Sequence, residues 1–178
     1  MVSFPSSYPQ PRSPPLSRLQ SLPAALSLET TNPEHKQYAA LRFILNGHLF
    51  DCNEMMYWHF VLDAVHGRFR GGSTEVFVRK GLLVCVQRVE INENGFYHRH
   101  HGTWLMLRSC TRSALVLLAA ARCPELAPLM PVGWEEAIVK VMIMLGFWKD
   151  ESRDVMDRLQ VLETLVDVVT PGISKNRH

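Results

Sequence analysis

Between residues 32 and 169, apolar side chains return every three to four positions, and this spacing constrains the fold more than any other feature of the chain. That period lines up one face of an α-helix, whereas a half-buried strand alternates every second residue. The plainest run is the last. Val155, Leu159, Leu162, Val166 and Val169 alternate with Asp157, Arg158, Gln160, Glu163 and Asp167. Ser152 is suited to cap its start, with Asp154 in the first turn. Pro171-Gly172 marks its end.

The same reading divides the rest of the chain. Residues 1–31, rich in Pro and Ser, are expected to form a disordered tail. A helical domain is expected over 32–170, and a polar tail over 171–178. Asn32-Pro33 suits a helix start, with Tyr38, Leu41, Ile44, Leu45 and Leu49 on one stripe. A second helix is expected after Asp51 or Asn53, showing Met55, Trp58, Leu62, Val65 and Phe69 and ending at Gly71-Gly72. Residues 74–91 carry β-branched and aromatic side chains that favour strand. They are nevertheless read as helix, because a lone hairpin would lack sheet partners. Residues 101–122 form the longest apolar helix, with Trp104, Leu107, Leu115, Leu118 and Ala121 inward. Residues 132–150 carry Trp134, Ile138, Met142, Leu145 and Trp148 on one stripe and are apolar nearly all round, as befits a central helix. The expected fold is therefore all-α, an irregular bundle of about six helices with antiparallel neighbours.

Charge and cysteine usage narrow the function. Nineteen Lys and Arg against seventeen Asp and Glu leave a net charge of +2, no general footprint for nucleic acid or an anionic membrane. The four cysteines, at 52, 85, 110 and 123, lack metal-knuckle spacing and sit in apolar stretches, as reduced thiols do. No secretory signal is visible in the proline-interrupted start. The most apolar stretch, residues 103–121, contains Arg108 and Arg112, each costly in lipid, so no membrane span is expected.

Three groups merit weighing as chemistry. His98, His100 and His101 with Cys52 or Cys85 offer zinc-type ligands, but no HExxH or CxxC accompanies them, and the plainer reading is that they cap and solvate a helix start. Arg108 and Arg112 stand four apart on one face. They are the candidate partner or anion contact, or else they pair with Glu135, Glu136, Asp150 or Asp154. Cys110 and Cys123 have no nearby base and sit among Leu, Met and Ala, where a thiol is usually inert packing. No catalytic set, cofactor site or metal site emerges, and the chain reads as a binding or regulatory module, not an enzyme.

Residues 101–121 (HGTWLMLRSCTRSALVLLAAA), 131–166 (PVGWEEAIVKVMIMLGFWKDESRDVMDRLQVLETLV) and 54–66 (EMMYWHFVLDAVH) resemble, in that order, fungal-specific transcription factor domains. The resemblance implies an all-helical regulatory region of fungal binuclear-zinc-cluster regulators, a nuclear location, and action through protein contacts, homo- or heterodimers among them, or a small ligand. It brings no catalytic residues. The family's DNA reader needs six cysteines in paired arrays, and this chain has four, widely spaced. The expectation is a regulator-like domain that binds no specific DNA site by itself, as a truncated relative or fragment would. Two rival expectations are a metal-binding enzyme built on His98, His100 and His101, and a fragment without function of its own.

Overall fold

The computed structural model describes residues 39–69 and 71–170, and the expected tails at 1–31 and 171–178, with the Asn32-Pro33 helix start, lie outside them. Among the described residues every regular element is helical and no strand occurs. Five α-helices lie among the described residues: α1 (Ala39–Asp63), α2 (Glu75–Asn92), α3 (Thr103–Ala121), α4 (Trp134–Trp148) and α5 (Arg153–Val169). The chain divides into two compact units at Leu49 and Phe50. The described part of the first, residues 39–49, is helical throughout. The second, from Phe50 onward, holds the hydrophobic core.

The expected helix break at Asp51 or Asn53 does not occur, and α1 runs through both. A capping side chain at a helix start turns back onto free backbone N–H groups. Asp51 instead receives a hydrogen bond from the Arg88 guanidinium at 2.7 Å. The stripe expected on this helix is also shifted. Met55 is 74% exposed, while Glu54 and Val61 are the buried positions between Phe50 and Asp63. The helix runs out in a π-helical stretch, Ala64–Arg68, that contains Gly67 at φ +73°. Only glycine takes that conformation without strain, so the kink belongs there.

α2 covers the stretch of strand-like composition. Val78, Leu82, Cys85 and Val89 recur at helical spacing, and all four are buried. Burying that stripe outweighs a β propensity worth a fraction of a kcal/mol per residue. α2 packs against α3 and α4.

α3 is the most buried helix. Met106, Leu107, Cys110, Ala114, Leu117 and Leu118 form its inner face, and α2, α4 and α5 all pack on it. By length and composition it could cross a membrane, but most of its apolar length lies inside the fold. Trp104, expected inward, is 46% exposed and meets Trp148 edge-on. On α4, Ile138, Met142, Leu145 and Trp148 are buried as the stripe predicts, with Trp134 half-buried. Ile143 and Phe147 face outward, so its apolar surface is not wholly covered. Trp148 satisfies its indole N–H on the Phe96 carbonyl at 2.6 Å.

On α5, Val155, Leu162 and Val166 are buried and Leu159 and Val169 partly so, as the pattern requires. Ser152 stands at the N-cap with extended backbone, and its carbonyl accepts from the N–H groups of Val155 and Met156. Its hydroxyl makes no capping bond.

Candidate functional site

The most unusual feature of the interior is a carboxylate. Glu54 on α1 is 8% exposed, and a buried carboxylate is rare unless paired. Three N–H groups answer it. Arg112 of α3 donates from Nε to Oε1 at 2.8 Å and from Nη2 to Oε2 at 2.7 Å, a bidentate fork. Arg88 of α2 donates from Nη2 to Oε2 at 2.8 Å and to Asp51 Oδ1 at 2.7 Å. Three helices are thus joined through one carboxylate. Arg88 is itself buried, lies over the Phe50 ring, and keeps its Nε without a partner among the described residues.

Beside this network lies a groove of about 440 Å³. Met55 and Trp58 of α1 and Leu105 of α3 form its apolar wall. Asp51, Glu54, His59 and Arg112 supply its polar part. Met55 is 74% and Leu105 69% exposed, whereas Arg112 stacks its guanidinium over the Trp58 ring at 6.0 Å. The volume falls within the range typical of small-molecule sites.

The two arginines singled out from sequence serve different acids. Arg112 joins this network, and its partner is Glu54, not any of the four acids expected. Arg108, one turn earlier on α3, is exposed and acts on Asp154 of α5. There the Asp154 carboxyl is held below its usual range, first by the hydrogen bonds from Arg158 and in smaller part by the charge of Arg108.

Of the three histidines weighed from sequence, His100 has bonds in the turn that leads into α3. The Gly102 N–H donates to His100 Nδ1 at 3.1 Å, and the His100 N–H donates to Thr103 Oγ1 at 2.8 Å. His100 thereby closes the turn into α3, while His98 and His101 are exposed. Among the described residues no three His, Cys, Asp or Glu side chains converge as a metal site.

The thiols differ in kind. Burial pushes Cys85 up to about 12; the negative charge of Glu54 adds to this, and Ser113, Arg112 and Arg88 pull back. Cys110 is likewise pushed up to about 12 by burial, against the pull of Arg88. Neither is a thiolate at neutral pH, so neither is an activated nucleophile. Cys123 is half-buried against the Val65 and Ala119 carbonyls, and Cys52 is exposed.

Sequence reasoning missed Glu54, Asp51 and Arg88. A signal existed for Arg88. It follows Val84 by four residues and Cys85 by three, so helical spacing sets it on an apolar side, where an arginine calls for an acid partner. In comparisons with known proteins, no family model matches the chain, and no curated protein or solved structure matches it.

Proposed function

We propose that this chain is a transcription-regulator-like helical domain that carries no DNA reader and acts by non-covalent contacts at the Glu54 groove. The observation that carries the reading is the juxtaposition there of exposed apolar side chains, Met55 and Leu105, with a hydrogen-bonded charge network joining three helices. Large apolar side chains left in solvent beside ordered polar groups are the usual make-up of a recognition surface. The occupant is a protein partner, a second copy included, or a small ligand. The resemblance of residues 54–66, 101–121 and 131–166 to fungal regulators supports the assignment, and with it a nuclear location. Arg112 is the contact residue of this surface, and Arg108 a second, separate one. The reading also takes the fold as about six helices with antiparallel neighbours. Support for the reversal comes from the short Lys149–Glu151 turn between α4 and α5.

The test is a reporter assay. The full chain is fused to an unrelated DNA-binding module and compared with that module alone. The expected result is an altered reporter output that Leu105→Asp abolishes. The unfused chain should give no sequence-selective DNA shift at moderate salt. Unchanged output from a folded, nuclear fusion, or a salt-tolerant selective shift by the chain alone, overturns the proposal.

A further inference from the structure

We infer that the groove takes a small, uncharged aromatic molecule bearing a neutral polar group such as a carboxamide, an inference that rests on the regulatory reading above and narrows its ligand. Charge is the first argument. Asp51 and Glu54 are answered by Arg88 and Arg112, two negative groups by two positive, each within a hydrogen bond of its partner. These four groups therefore leave no net charge to neutralise, and His59 is the one further titratable group among the described residues that line the groove. A carboxylate entering it meets Asp51 and Glu54, and an ammonium or amidinium meets Arg112. Either ion sheds its hydration for no net attraction, which a neutral molecule avoids.

Shape and hydrogen bonding give the second argument. Met55, Trp58 and Leu105 offer an apolar wall with an indole in it, which suits a flat ring. The polar part is not used up by its own pairing. Among the described residues, Arg112 engages only Nε and Nη2, and Asp51 only Oδ1. Nη1 of Arg112 remains a donor, and Oδ2 of Asp51 an acceptor. A neutral group such as a primary carboxamide can accept from the first or donate to the second without adding charge.

Three probes of one shape and different charge test this: benzamide, benzoate and benzamidinium. Each is titrated into the full chain while the Trp58 indole N–H is followed by NMR, its signal assigned with Trp58→Phe. Benzamide should shift it saturably, with half-saturation on the order of 1 mM for so small a probe. Both ions should bind at least about fivefold more weakly. Leu105→Asp should weaken benzamide by about the same factor. The side chain is 69% exposed, so the variant should keep its helical circular dichroism. Should it lose that signal, Met55→Asp, at a position 74% exposed, carries the same reading. Absence of saturation by benzamide overturns the inference. So does equal or tighter binding of either ion, or benzamide binding that ignores both substitutions. None of these results depends on the reporter output, so the regulatory reading and the ligand class fail separately.

Discussion

Replacing Glu54 by glutamine tests whether the three-helix junction is held by charge. The substitution keeps the shape of the side chain and removes its charge. It also turns an amide N–H toward guanidinium donors wherever the oxygen cannot serve both. Removing one member of a buried ion pair costs about 3–5 kcal/mol, because the partner's charge stays buried and unanswered. Two features of the site lower that figure. Asp51 still answers Arg88, and Arg112, with about half of its side chain exposed, regains water. The expected loss is therefore about 2–3 kcal/mol. Urea unfolding followed by circular dichroism should show it as a lower midpoint at unchanged slope, with a Tm drop of roughly 5–10 °C. The control is Glu136→Gln. Glu136 pairs with Lys140 on the outer side of α4 with 71% of its side chain exposed, and its loss should cost less than about 0.5 kcal/mol. If Glu54→Gln stays within about 0.5 kcal/mol of the parent as well, the junction contributes nothing and the reasoning fails.

The packing sets two more expectations. A β-carbon at Gly81 would lie 2.4 Å from Val61 Cγ2 and 3.1 Å from Tyr57 Cβ. Gly81→Ala should therefore forfeit the gain of about 1 kcal/mol that alanine brings inside a helix and lose up to about 2 kcal/mol net. In a Val61→Ala background it should be milder or stabilising, and a full propensity gain in the parent would refute the close approach. In native protein at pH 8, a thiol reagent should modify Cys52 quickly and leave Cys85 and Cys110 untouched until urea is added. Rapid native labelling of either buried thiol would contradict their placement.

The helical character was legible because burial acts on local periodicity. α5 shows this best: its stripe, its first residue and its exposed acids all follow from spacing. α2 could be assigned only by reasoning about its neighbours, since its own composition pointed to strand. The misjudged details share one cause. Periodicity defines a face but does not say which other face meets it. Trp104 lies on the apolar side of α3 by spacing, yet that edge of the helix is left partly uncovered. Asp51 looked like a cap because its role depends on Arg88, far away in sequence. The site was half visible for the same reason. Arg112 drew notice as a charge on an apolar helix, while its partner Glu54 stands 58 residues earlier in an ordinary helical run. Only folding brings the two together.

Glu54 has one consequence for any molecule that enters the groove. The carboxylate that fastens α1 to α2 and α3 is also part of the wall the visitor touches. Occupancy and cohesion are therefore thermodynamically linked: any guest of the folded chain raises its melting point, and one that must draw Arg112 away does so with weaker affinity and a smaller rise. A guest that relies on the three-helix clasp should thus lose much of its thermal shift in Glu54→Gln, whereas one indifferent to the clasp should keep it.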